Sequence, residues 1–429
     1  MNKSIMWNKP WRVTEGFLIG AGMIVTGLLL QLAAGPIDWN VFSFPVNIIV
    51  LVAFLLIIAV GFLLRKKVYG MRFLASYKAA IPALAYALVM TVIMGLIRQV
   101  PESQHANGCS ALSHMLSFWP FVLIYVWIAF ILGVTILKRL TTFRIKDIPF
   151  MLNHAGLFVV MTTATLGKAD MQRLKMTVGK DTPEWRAIDD YGKVHELPIA
   201  IQLENFRIDE YPPKLALMDN QTGNLVGGQQ AETLLLDSTL REGQLGNWRI
   251  RLKKLLEYAI PVMKEDTTYY DAWMASGAVT AAHVDVEWLP VEKTKRTYLK
   301  KSGWLTCGSY RYPYQILKID NQLSLAMLPR EPQRYVSRVE ILTKSGKDIK
   351  TDILVNKPFT VEGWKIYQLN YDTTMGRWSE ISVLELVSDP WLPAVYAGIY
   401  MMLAGALCMF VMGRGAHPSA SQREREGKR

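Results

Sequence analysis

Two rhythms of apolar positions divide this chain. In the first, apolar residues run on for about twenty positions, the length of helix that crosses a hydrocarbon core of ~30 Å. Five such runs come early, roughly 16–35, 46–64, 79–97, 117–137 and 147–170, and a sixth follows at 391–413. In the second rhythm, between 168 and 389, the runs are short and alternate with polar residues, the period of a half-buried strand. LPIAIQLENFRI (197–208) alternates in this way and ends at Tyr211-Pro212-Pro213, which cannot continue a central ladder. YVSRVEILTKSGKDIKTDILV reads as two strands closed over Lys344-Ser345-Gly346-Lys347, and GWKIYQLNYD and SEISVLELV supply two more. NWRIRLKKLLEYAI (247–260) fits either a basic helix or a strand and is read as strand in its first half.

The expected fold is a polytopic α-helical membrane protein with a large extracytoplasmic β-rich domain, a sandwich or an open barrel. Its parts are a membrane domain of five helices over 1–167, the β-rich domain over 168–389, a closing transmembrane helix over 390–413 and a disordered polar tail over 414–429. LLLQLAAGP at the end of the first run ends in small residues, as a signal peptide does. Its removal would break the charge pattern described next, so the run is kept as a span.

The formal charge of +12 invites a nucleic-acid partner until the charges are sorted by segment. Residues 168–389 hold about thirty basic and about thirty acidic side chains, so the β region is neutral and a nucleic-acid role is excluded. The excess lies at Lys3, Lys9 and Arg12, at Arg65, Lys66, Lys67, Arg72 and Lys78, at Lys138, Arg139, Arg144 and Lys146, and in the tail. The intervening loops, 36–45 and 98–116, contain only Arg98. Under the positive-inside rule this gives six spans of a bacterial inner (cytoplasmic) membrane, both termini cytoplasmic and the large domain periplasmic.

Candidate chemistry is sparse. His154 is an imidazole inside a span, where an ionisable group must find a partner in the protein or in a ligand; the bland alternative is a bond to a neighbouring helix. His105, Cys109 and His114 fall close together in one loop and admit a metal or haem reading, although the spacing matches no standard zinc pattern and a solvated loop also accounts for it. Three cysteines make no disulfide framework; Cys109 and Cys307 remain a conceivable pair, and Cys408 lies in the last span. No C-x-x-C-H, C-x-x-C, phosphate-binding loop, H-E-x-x-H or usable G-x-S-x-G occurs, so a hydrolase or a nucleotide-driven pump is not expected.

The ordered series FMLNHAGLFVVMTTATLG, LPIAIQLENFRIDEYP, VNKPFTVEGWKIYQLNYD and SDPWLPAVYAGIYMMLAGALCMF resembles the ResB (CcsB) proteins of System II cytochrome c maturation. Val355-Asn356-Lys357-Pro358, Gly363-Trp364-Lys365-Ile366-Tyr367-Gln368 and Asp389-Pro390 match that family's elements over roughly 145–413, while two extra N-terminal spans depart from its usual plan. The resemblance implies a non-catalytic or co-catalytic subunit of a cytochrome c synthetase (haem lyase) complex. Its cofactor would be haem, carried transiently as transported substrate, and its partners a CcsA/ResC-type membrane protein and apocytochrome c. The position that matches the family's inner haem ligand is His154. Arg144 and Lys146, near the start of the same span, are candidates for the haem propionates. The rival reading is a membrane-anchored extracytoplasmic binding or sensing protein with no haem role.

Overall fold

The structure, a computed structural model, describes residues 7, 9–100, 111–236, 241–265, 267–289 and 299–413. His105, Cys109 and the tail expected to be disordered lie outside them. The chain divides into two compact units, Met1–Gln172 with Ser388–Arg429, and Arg173–Val387.

The first unit is helical: α1 (Val13–Ala34), α2 (Val46–Leu64), a short α3 (Tyr69–Leu74), α4 (Tyr77–Leu96), α5 (Trp119–Leu140), α6 (Ile148–Gly167) and α7 (Leu392–Gly413). Among the described residues, six helices are long and apolar enough to cross a membrane, and α3 is not one of them. Leu29, Leu32, Leu88, Leu96 and Leu407 stand exposed on their outer faces, the disposition a bilayer accepts and water does not.

Where α6 and α7 cross, the backbones meet over glycine. A Cβ on Gly156 would lie 2.6 Å from the Gly398 carbonyl oxygen, one on Gly398 would lie 2.8 Å from the Gly156 carbonyl, and one on Gly405 would lie 2.9 Å from the Asn153 nitrogen. Lipid gives helices no hydrophobic reason to associate, so close packing over small residues supplies the attraction. Asp170, just beyond α6, gathers the far end: it accepts the Phe44 N–H (2.7 Å), the Asn47 amide (2.7 Å) and the Trp391 indole N–H (2.7 Å).

The second unit is all β. Its strands in chain order are β1 (Gln172–Gly179), β2 (Glu184–Ile188), β3 (Val194–Glu210), β4 (Lys214–Asp219), β5 (Thr233–Leu235), β6 (Glu242–Leu245), β7 (Trp248–Lys264), β8 (Thr267–Ala272) and β9 (Val279–Trp288). They continue with β10 (Lys300–Thr306), β11 (Leu317–Lys318), β12 (Leu323–Met327), β13 (Pro332–Thr343), β14 (Asp348–Leu354), β15 (Phe359–Val361), β16 (Trp364–Tyr371) and β17 (Ile381–Ser388). An eight-stranded sheet runs β14-β13-β3-β2-β1-β17-β16-β15. It curls around its own core, in which Met176, Ile201, Leu203, Ile341, Ile366 and Leu384 are buried. The curl is visible in a buried polar contact: Ser337 of β13 bonds Ser382 of β17 (2.8 Å), and both meet the Gln368 side chain of β16, although three strands separate β13 from β17 along the sheet. The edge strands β14 and β15 do not pair with each other, so the barrel is open.

The remaining strands form an inserted lobe. The chain leaves the curled sheet after β3 and re-enters at β13, which pairs with β3. Between them a five-stranded and a four-stranded sheet share one core that includes Leu215, Ile250, Val284, Leu305 and Leu325. The β7 segment is strand throughout its length, further than the sequence reading took it. Leu252, Leu255, Leu256 and Ala259 recur at helical spacing, but shifts in register against β9 between Leu252 and Lys254 and between Leu256 and Ala259 reset the alternation and keep the segment extended. The 344–347 turn forms as expected, with Gly346 at φ +84°.

Candidate functional site

The transmembrane histidine is placed from its helix outward. Pro149 stands at the start of α6, where a missing N–H costs nothing. Asp147 just before it is buried at 3% exposure, and its carboxylate accepts from the Arg139 guanidinium at 2.6 Å and from the Arg144 backbone N–H at 3.0 Å. That pairing compensates a carboxylate that burial would otherwise penalise heavily. Further along, Phe158 stacks on Phe54 of α2 and lies against Gly133 of α5, while the Tyr125 hydroxyl donates to the Met161 carbonyl at 2.9 Å. With α7 seated over Gly156, α6 is therefore held on two sides.

His154 sits half-buried one turn after Phe150. Its Nδ1 lies 2.9 Å from the Phe150 carbonyl oxygen, and the two rings stack with centroids 3.7 Å apart. A carbonyl can only accept, so Nδ1 carries the proton and, in the neutral ring, Nε2 presents a lone pair. This is how metal-binding imidazoles are held: one nitrogen donates to an outer group, which fixes the tautomer and the ring plane for the other. Nε2 has no hydrogen-bond partner among the described residues. In lipid such a nitrogen is costly until a ligand meets it.

The other candidates fare differently. Arg144 and Lys146 are both exposed, and Arg144 is engaged by its backbone only as far as the bonds to Asp147 go. Arg139, which the sequence reading counted only for topology, lies closer to the imidazole in the chain of contacts: its guanidinium is 5.5 Å from the Phe150 ring centroid, and Phe150 covers His154. The signal for it was an acidic residue at the mouth of a span, Asp147, which needed a basic partner. His114 falls at a kink between two short 3-10 turns, and its Nδ1 is buried with no hydrogen-bond partner among the described residues. Among those residues no three His, Cys, Asp or Glu side chains assemble a metal site. Cys307 and Cys408 are free thiols.

No curated protein matches the chain. A family match does exist, and it falls in the β unit, on the return from the inserted lobe through β12 to β16 and into the loop before β17: residues 318–379 match the ResB-like family. They include the Val355-Asn356-Lys357-Pro358 and Gly363–Gln368 elements, whose Gln368 closes the buried contact across the curl. Over this stretch the chain is similar to the ResB-like family.

Proposed function

We propose that this chain is the membrane subunit of a cytochrome c maturation complex, in which haem is handled as cargo and His154 Nε2 is an iron ligand. The observation that carries the reading is the ResB-like match over 318–379. The tautomer fixed by Phe150 supports it, since the residue that the family resemblance singles out offers the nitrogen that iron needs. The chain would work with a CcsA/ResC-type membrane protein and deliver to apocytochrome c. Six apolar helices and the alternation of basic residues support an inner-membrane location, with both termini cytoplasmic and the β unit periplasmic.

Two measurements test this. The complex purified in detergent with its partner is expected to carry haem, seen as a Soret band; a complex at full stoichiometry with no haem absorbance contradicts the haem role. For orientation, reporter fusions at residue 140 are expected to report the cytoplasm and fusions at 220 the periplasm, and the reverse pattern overturns the topology.

A further inference from the structure

The β unit contains a second place where chemistry is concentrated. A cleft of about 200 Å³ opens where the chain passes between the curled sheet and the inserted lobe. Its walls come from the end of β3 (Glu210), from β9 (Thr280), from the segment after β10 (Cys307 to Tyr310), from the entry to β13 (Arg330) and from the loop before β17 (Thr373 to Trp378). Its volume is many times what a single buried water needs. That is below the 300 Å³ or so at which pockets for drug-sized molecules begin, and suits a group the size of one residue.

The lining is cationic at its base. Arg330 and Arg377 are only 10% and 13% exposed, and they share one carboxylate oxygen of Glu210, at 3.4 and 3.2 Å. Arg377 also donates to the Glu257 carbonyl (3.1 Å) and the Ala278 carbonyl (3.2 Å), and Arg330 to the carbonyls of Tyr211 (2.9 Å) and Glu210 (3.0 Å). A guanidinium has five N–H groups, so these bonds leave donors over on both arginines. A further acid, Glu257, touches Arg330 at only 3.5 Å and is 63% exposed, where solvent screens it. Two largely buried positive charges thus face one partly buried negative charge. Ser309 and Thr280 hydroxyls and the Trp378 ring complete the walls. Burial pushes the Cys307 thiol above its ordinary range, against the opposing pull of Arg377, so it stands there as a neutral group.

We propose that this cleft binds a carboxylate carried on a group of about one residue, with Arg330 and Arg377 as its recognition pair. A planar guanidinium matches a carboxylate in both geometry and charge, and burial strengthens the pairing. The bound anion would supply the negative charge that Glu210 alone does not. Neither the site nor its ligand depends on His154.

The test uses saturation-transfer NMR on the full-length protein in detergent, in a buffer free of carboxylates. N-acetyl-alanine is expected to receive saturation and its amide, N-acetyl-alaninamide, to receive little. Equal transfer to both overturns the proposal, as does displacement of N-acetyl-alanine by inorganic phosphate at lower concentration than by acetate. Preference for N-acetyl-alanine over acetate supports a carrier of about one residue, and equal strength counts against it. Arg377→Gln is expected to weaken binding about tenfold, the scale of one charge-assisted hydrogen bond. Because Arg377 also ties β7 to the segment before β9, Glu257→Gln gives an arm that spares the fold. Because that exposed acid is screened, its removal is expected to leave binding unchanged or to tighten it by up to about twofold, and weaker binding counts against the proposal.

Discussion

His154→Ala is expected to yield a protein that inserts and accumulates normally but retains at least about tenfold less haem in complex with its partner, because even outer partners of a metal ligand are worth roughly 10–100-fold in affinity. Cytochrome c assembly should fall with it. The fold should survive, since the ring packs on its own helix through Phe150 and the α6 contacts to α5 and α7 run through Phe158, Met161, Gly156 and Asn153. Added imidazole should restore part of the haem, as a free ligand of the same chemistry filling the vacated position. If the histidine were only structural, protein amount would drop instead and imidazole would change nothing. Normal haem content together with normal cytochrome assembly in the alanine variant would remove the central claim.

The second large effect is expected at the glycine crossing. Gly398→Val places a branched side chain 2.8 Å from the Gly156 carbonyl and 2.8 Å from a Val160 methyl, and both are parts of a helix that is pinned at Asp147 and Asp170. Ordinary contact needs 3.4 Å or more, so the helices must part along the seam. Overpacking of this kind costs about 1–3 kcal/mol, and here it also forfeits the packing on which helix association in lipid depends. The aggregation temperature in detergent should fall by several degrees, and haem retention should fall with it, because α6 carries His154. Gly22→Val is the control: a Cβ there meets nothing within 4 Å. Equal midpoints for the two variants would refute the seam's role.

What was legible in the sequence follows from how local each signal is. The spans declare themselves by length and apolarity, and the 344–347 turn by its glycine, because both are properties of contiguous residues. The β7 strand was harder, since Leu252, Leu255, Leu256 and Ala259 imitate a helix and only pairing with β9 shows the register shifts that resolve them. His154 could be singled out, but its tautomer could not, since that depends on the Phe150 carbonyl being one turn away in a formed helix. The cleft was invisible: Glu210 and Arg377 meet across 167 positions of sequence. Nothing near either residue marks them as partners.

The placement of β1 beside β17 bears on how the β unit comes into being. These neighbours are the first and last strands of the curled sheet, about 200 residues apart in the chain, and β3 likewise waits for β13 across the whole inserted lobe. Pairings so distant form late, because the closure entropy of the long loop must be met before the contacts return anything. The lobe between β3 and β13 has its own core and can form first, as it emerges. Until β17 arrives, β1 and β16 are bare edges that can pair with any passing strand, so a chain halted before residue 381 is a candidate for aggregation or proteolysis even though most of its strands are already made.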